Sequence, residues 1–464
     1  MVASGDVENT RLSGSFRDPG GYVLERGGSI FRVVHESRKS DFGQLLASGL
    51  YRQLVEERLL IDHEDVEPED WFPPDAWKIL RPRRVRFISY PYEWSFGQLR
   101  EAALLTLTIE RRALSSGMSL RDCSAYNVQF EGYRPIFIDT LSFEEYEEGR
   151  PWRAYRQFCQ HFLAPLALMS RSGQALGRLL QLYLDGVPLD VASVLLPKQS
   201  WFNLGLLGHI HLHAKSILKM TSDRLPDVHL SRKGLLTLVD DLRERVGSLE
   251  WKPAPTPWAD YSPSTTYAHE SRQHKSALIG EFLDAVGAND VWDFGASDGA
   301  YSRISSSKGI PTVSMDSDPA AVGKNYQRCR EEKDEKLLPL IVDLLNPSPP
   351  IGWAGQERLS LLERSPAGAV LLLALVHHLT ITEQIPFEKI AGLMARLTRV
   401  LVVELPLPDD PQVELLRSRK KPEDLHRYDQ QSFERVFAES FLILRREEIR
   451  GSRRVLYLLE RRAA

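Results

Sequence analysis

The stretch Val291-Trp292-Asp293-Phe294-Gly295-Ala296-Ser297-Asp298-Gly299 decides how the second half of this chain folds. A short apolar run reads as a strand, and the glycines behind it sit where a helix should open. Without Cβ atoms, Gly295 and Gly299 let the backbone turn tightly and let a ligand lie against it. The N–H groups of the following helix supply donors. Asp293 is placed to orient the loop or the ligand. Such turns are common in α/β proteins, so the neighbouring strands carry the decision.

Those neighbours repeat the pattern. The next strand ends in Asp316, within SMDSDP, after one helix and one strand, where a carboxylate can accept from two ribose hydroxyls. The third ends in Asp343, within LIVDLLNP, where the side chain and adjoining backbone can face an adenine ring. Further strands are expected at AVLLLALV and RVLVVEL, with helices between most of them. Alternation of this kind predicts a parallel sheet covered on both faces. FLILRREE and RRVLYLLE, joined by a short turn around Gly451, are expected to pair antiparallel at its edge.

The series DFGASDG, MDSDP, VDLLNP resembles the motifs of class I S-adenosylmethionine-dependent methyltransferases, over residues 251–464. The resemblance implies a Rossmann-like, seven-stranded methyltransferase fold with S-adenosylmethionine as cofactor. It implies that Gly295 and Gly299 line the methionine part, Asp316 holds the ribose, and Asp343 with Leu344 sits by the adenine. Ser297 stands where the family usually has glycine and calls for a permissive backbone geometry. Asp298 either meets the cofactor's ammonium group or faces water. Enzymes that bind NAD carry GxGxxG, which this loop lacks. Tyr261 and Tyr267 resemble the lid-like lead-in of some methyltransferases, or pack at a domain boundary.

Ligands of open α/β sheets lie outside the carboxyl ends of the strands, so residues after the fourth and fifth strands should face the transferable methyl group. These are His377, His378 and Glu404, and the segments LLLALVHHLTI and VVELPLPDDPQV resemble one methyltransferase subgroup. Methyl transfer from a sulfonium needs in-line approach above all. A hydroxyl or amide acceptor must also lose a proton, which suits histidine. Adjacent residues leaving a strand point in different directions, so one of His377 and His378 is expected to act as base, or both only cap the strand.

The whole chain is similar to bacterial nodulation-protein-type methyltransferases, with SFRDPGGYVLERGGSIFRVV carrying part of the likeness; this implies an acceptor that is a small molecule or glycan-like. Within the first half, Leu120-Arg121-Asp122-Cys123-Ser124-Ala125-Tyr126-Asn127 followed by VQFEGYRPIFIDTLSF resembles the catalytic loop and metal-binding strand of protein-kinase-like phosphotransferases. By that resemblance Asp122 meets an acceptor hydroxyl, and Asn127 and Asp139 hold magnesium. Yet no glycine loop cradles phosphate, no lysine stands in a strand before the helix near Asp41, and Asp139-Thr140-Leu141 replaces Asp-Phe-Gly. Residues 1–250 therefore read as a helix-rich α+β accessory or substrate-selecting domain, either degenerate and kinase-like or one in which Asp122 and Asn127 only make turn contacts. Alternatives for the whole are a bifunctional kinase and methyltransferase, or a non-catalytic cofactor-binding scaffold.

Local patterns in that half predict a hairpin across Gly27-Gly28, one amphipathic helix from Asp41 to Leu60, a strand at VRFISY, a helix from Phe96 to Ser116, strands at NVQF and PIFIDT, and helices from Trp152 to Val246. Pro253, Pro255 and Pro257 mark the domain boundary. His209, His211 and His213 lie in a helical pattern that brings only the first and last together, so they read as surface or interhelix histidines and no metal is expected.

At 464 residues the chain exceeds a single core, and 42% hydrophobic with 26% charged residues fits an ordinary globular protein. Net charge is −4 with mixed signs, which gives no basic field for nucleic acid or an anionic membrane. Cys123, Cys159 and Cys329 are scattered, against a disulfide framework or a zinc site. The start lacks signal-peptide layout and no apolar run approaches the ~20 residues of a membrane span, so a cytoplasmic protein is expected.

Overall fold

The structure is a computed structural model that describes residues 9–215, 229–253, 269–421 and 426–463. Pro255, Pro257, Tyr261 and Tyr267 lie outside the described residues. The chain divides into two compact units: Met1–Lys252 with Pro350–Arg358, and Pro253–Pro349 with Leu359–Ala464.

The first unit opens on an antiparallel sheet in the order β1-β2-β3-β5-β4, made of Thr10–Arg11, Gly21–Arg26, Ser29–Val34, His63–Val66 and Lys78–Pro82. Arg26 pairs with Ser29 across Gly27 and Gly28, whose φ angles of 55° and 77° suit a two-residue turn that matches the strand twist. Alternation places Leu24, Phe31, Val33 and Ile79 on one face, and Val34 and Leu80 on the other against Phe42 and Leu141. The single helix expected over 41–60 is two, α1 (Lys39–Ala47) and α2 (Leu50–Glu56), because Gly49 takes φ 76° and breaks the ladder. VRFISY forms no strand; the pairing strand is β5, upstream of it.

Helix α3 (Phe96–Ser115) starts at a capping box, in which Gln98 N–H donates to Ser95 Oγ and Gln98 Oε1 accepts from Ser95 N–H. Two two-stranded antiparallel sheets follow, β6 (Met118–Leu120) with β9 (Phe143–Glu145) and, between them in the chain, the hairpin β7 (Val128–Glu131) with β8 (Arg134–Phe137). Short helices fill much of 155–212, and the helix Arg232–Ser248 packs on α3.

The second unit carries a seven-stranded sheet in the order β12-β11-β10-β13-β14-β16-β15. Its strands are Val291–Phe294 (β10), Thr312–Asp316 (β11), Leu337–Ile341 (β12), Ala367–Leu372 (β13), Thr398–Pro406 (β14), Phe441–Glu448 (β15) and Arg454–Arg461 (β16). The first five run parallel, and β16 is inserted antiparallel between β14 and β15. Counted along this unit the order is 3-2-1-4-5-7-6, the Rossmann-like seven-stranded methyltransferase fold. Leu456 and Leu458 point to a core shared with the helix His269–Ala285, while Tyr457 between them meets Phe433 on the opposite face at 5.0 Å. The order reverses between β10 and β13, which opens a crevice at their carboxyl ends.

The three cysteines are free and buried. Among the described residues, no helix is long and apolar enough to cross a membrane.

Candidate active site

The glycine turn leaves β10 into the crevice. Gly295, Ser297 and Gly299 all have positive φ, at 69°, 51° and 74°. Gly295 and Ala296 both donate their N–H to Met315 O, which binds the turn to the end of β11. A Cβ on Gly299 would lie 2.4 Å from the Asn325 side chain, so glycine is needed there by packing as well as by φ. Asp293 is 1% exposed and accepts from Ser302 Oγ at 2.6 Å. It therefore ties the strand to the helix Ser302–Ser307 from beneath the turn, and burial pushes its carboxyl up to about 7. Asp298 accepts from Ala300 N–H at 3.3 Å within its own loop.

Asp316 ends β11 and is held by both oxygens. Oδ2 accepts from Ser297 N–H and Oδ1 from Asp318 N–H, each at 2.8 Å. Burial raises its pKa while these amide donors oppose the rise. Each oxygen retains a lone pair, so the group can accept two further hydroxyls. The third strand ends at Ile341 rather than at Asp343, and Val342 N–H bonds Asp316 O at 3.0 Å. Asp343 sits in the turn beyond, half-buried beside Leu344, and accepts from Leu345 N–H at 2.9 Å. Turn, Asp316 and Asp343 thus follow one another along three neighbouring strands.

His377 and His378 lie across the crevice, past the end of β13. They do not leave the strand directly: β13 ends at Leu372, Ala374 takes φ 49°, and His377 caps a π-helical turn, His378–Thr382. The strand-alternation argument therefore gives way to helical spacing, and the two rings lie 4.2 Å apart. His377 is 2% exposed, its Nδ1 without a hydrogen-bond partner, whereas His378 is half-buried. Burial holds the His377 pKa well down, helped by His378 and Arg454; burial and then Arg454 bring His378 to about 4. Both rings are neutral at neutral pH.

Sequence reasoning placed Glu404 toward the methyl group and missed its partners. Glu404 is 0% exposed, 2.5 Å from Lys275 Nζ and 3.2 Å from Arg454 Nη1, and Arg454 Nε reaches Asp410 at 2.7 Å. Lys275, on the helix His269–Ala285, also lies 3.9 Å from the Tyr301 ring centroid. The available signal was a lysine inside KSALIGEFL and a glutamate inside VVEL, charges in apolar runs that must be paired if buried.

In the first unit, Asp122 and Asn127 flank a short turn where Asp122 Oδ1 accepts from Ser124 N–H and from Gln157 Nε2. Asn127 Nδ2 donates to Ser142 Oγ, which donates to Asp139 Oδ2 at 2.5 Å. Asn127, Ser142 and Asp139 are thus joined in one polar network. The histidines near 210 are packing groups. His209 bridges Tyr155 Oη at 2.7 Å and Asp241 at 2.8 Å, and His213 stacks on Tyr155. His211 is fully buried between Ser193 and Ser200. Among the described residues, no three His, Cys, Asp or Glu side chains converge as metal ligands.

Comparison with known proteins gives one strong relative. The chain is 33% identical over 469 residues to Nodulation protein NoeA of Rhizobium meliloti (strain 1021), covering 97% of this chain and 96% of that protein. No protein-family model matches. Solved structures it aligns with include a magnesium protoporphyrin IX methyltransferase, ChlM, from Synechocystis PCC 6803 with bound SAH, at a TM-score of 0.31 and 16% identity over 41% of this chain and 84% of that one. Another is N-methyltransferase NodS from Bradyrhizobium japonicum WM9, at 0.30 and 12% over 42% and 98%.

Proposed function

The chain belongs to the family of nodulation protein NoeA, and we propose that it is an S-adenosylmethionine-dependent methyltransferase acting on oxygen or nitrogen of a small-molecule or glycan-like acceptor. The observation that carries this reading is the bond from Ser297 N–H to Asp316, which locks the glycine turn to a strand-terminal acid beside the crevice where the strand order reverses. A nucleoside needs such a pair: an open turn against which its tail can lie and a fixed carboxylate for its ribose. Gly295, Ser297 and Gly299 then border the methionine part, Asp293 holds the turn from below, Asp316 accepts from the ribose, and Asp343 with Leu344 borders the adenine.

The cofactor supplies an electrophilic methyl group. The protein's share is positioning, with His378 on the open side of the histidine pair taking the acceptor's proton at an imidazole nitrogen. His377, buried behind it, orients that ring. Residues 251–464 form the methyltransferase domain and residues 1–250 an accessory domain that selects the acceptor, in a cytoplasmic protein. Incubation with methyl-labelled S-adenosylmethionine and saccharide-containing extracts tests this: label should enter a small or glycan-like product. Label entering only protein or nucleic acid would reject the acceptor class.

A further inference from the structure

The loop bearing Asp122, Asn127 and Asp139 resembles one that holds magnesium, but the residues around it do not suit a divalent ion. Asp139 Oδ1 accepts from Arg32 Nη2 at 2.9 Å and from Leu141 N–H at 3.2 Å, while Oδ2 is taken by Ser142 Oγ. Asn127 Nδ2 donates to that same hydroxyl. The nitrogen of Arg32 that meets Asp139 also meets Asp18 Oδ2, at 2.8 Å. Arg121 Nη2 closes on the other oxygen of Asp18 at 3.3 Å, and Gly20 N–H donates to that oxygen at 2.8 Å. The Arg32, Asp18 and Asp139 side chains are all mostly buried, at 14%, 20% and 16% exposure, so the charges face one another with little water between them.

We infer that Arg32 is the built-in counter-cation of this acid cluster, so that the site takes neither a divalent ion nor a metal–nucleotide, and that removing Arg32 uncovers a cation site between Asp18 and Asp139. The position is set by the fold. Arg32 lies mid-strand in β3, pinned by pairing with Val23 on one side and Leu80 on the other, so its guanidinium enters the cluster from a rigid element. A fixed guanidinium holding two carboxylates satisfies what a metal would otherwise satisfy, and a metal must displace it to bind. Without it, Asp139 and Asp18 Oδ2 lose their shared cation while Arg121 stays on Asp18 Oδ1, so Asp18, Asp139 and Asp122 repel one another until a hard cation joins them. Asp122 lies close enough to Asp139 for that carboxylate to raise its pKa, after the larger effect of burial.

The test is Mn²⁺ binding to the full chain, read from loss of the free-ion electron paramagnetic resonance signal, with and without ATP. Wild type should leave the signal unchanged. Arg32→Met should bind Mn²⁺ at least about tenfold more tightly than wild type, while Arg32→Lys, which keeps the charge, should stay silent. Uptake by wild type that Asp139→Asn abolishes would overturn the inference, and needs no unstable variant. So would a folded Arg32→Met protein, checked by circular dichroism, that leaves the signal as wild type does.

Discussion

Ser297 N–H donates to Asp316 Oδ2 at 2.8 Å from a residue held at φ 51°. The left-handed conformation is what aims that N–H at the strand end, and a side chain with a Cβ tolerates it at a cost of roughly 1–2 kcal/mol. Ser297→Gly should keep the bond and relieve the strain. The melting temperature should therefore rise or hold, with cofactor affinity within about twofold of wild type. A lower melting temperature with lost affinity would mean that the serine hydroxyl, not the backbone, matters at this position.

Lys275 and Glu404 form an ion pair with almost no exposure to water. Removing Glu404 takes the carboxylate from buried Lys275, and removing Lys275 leaves Glu404 to Arg454; breaking a buried pair in this way typically costs about 3–5 kcal/mol. Lys275→Met and Glu404→Gln should each lower the denaturation midpoint sharply in urea. The double variant Lys275→Met/Glu404→Met should recover part of the loss, because that ion pair is gone while Arg454 keeps Asp410. Equal losses in single and double variants would show that packing, not charge, holds this region.

The histidine pair sets an acid limit. His378 titrates at about 4 in the folded protein and near the ordinary histidine value of about 6.5 when unfolded. Its depressed value means that protons bind the unfolded chain preferentially, so stability falls as pH drops from about 6.5 toward 4. His378→Gln should flatten that part of the stability curve, and should lower turnover by about 10²–10⁴-fold with cofactor affinity unchanged. His377→Gln should weaken stability more than chemistry. Unchanged turnover and pH profile in both variants would leave catalysis to positioning alone.

Asp293 acts in the opposite direction. Its folded value of about 7 lies above the unfolded carboxylate value, so stability present at low pH is lost as pH rises through about 7. Asp293→Asn keeps an acceptor for Ser302 Oγ and should make the folded state less sensitive between pH 4 and 7. A melting curve with the wild-type pH dependence would contradict this.

How much of this was legible beforehand follows from what each signal depends on. The tight turn through Gly295, Ser297 and Gly299 was readable because a turn between strand and helix is local, and its glycines are chosen by backbone geometry. The parallel run of the first five strands of the second unit followed from strand–helix alternation, whereas their order in the sheet did not. Gly49 split an apparently continuous helix because apolar periodicity does not register one residue in the left-handed region. The Lys275–Glu404–Arg454–Asp410 chain was not readable, since its partners come from distant segments that meet only once β14 and β16 pair. The π-turn at His378 was hidden likewise, as the strand pattern runs on through LLLALV after the strand has ended. Arg32 was not readable, because its meeting with Asp139, more than a hundred residues on, depends on the pairing of β3 in the sheet.

Calorimetric titration of S-adenosylmethionine should show saturable one-site binding by the wild-type chain. Asp316→Ala should lose about 1.5–3 kcal/mol, roughly 10- to 150-fold in Kd, as the ribose hydroxyls and Ser297 N–H lose a charged acceptor. Absence of binding to the wild-type protein, or an unchanged Kd in a folded Asp316→Ala protein, would contradict S-adenosylmethionine binding at Asp316.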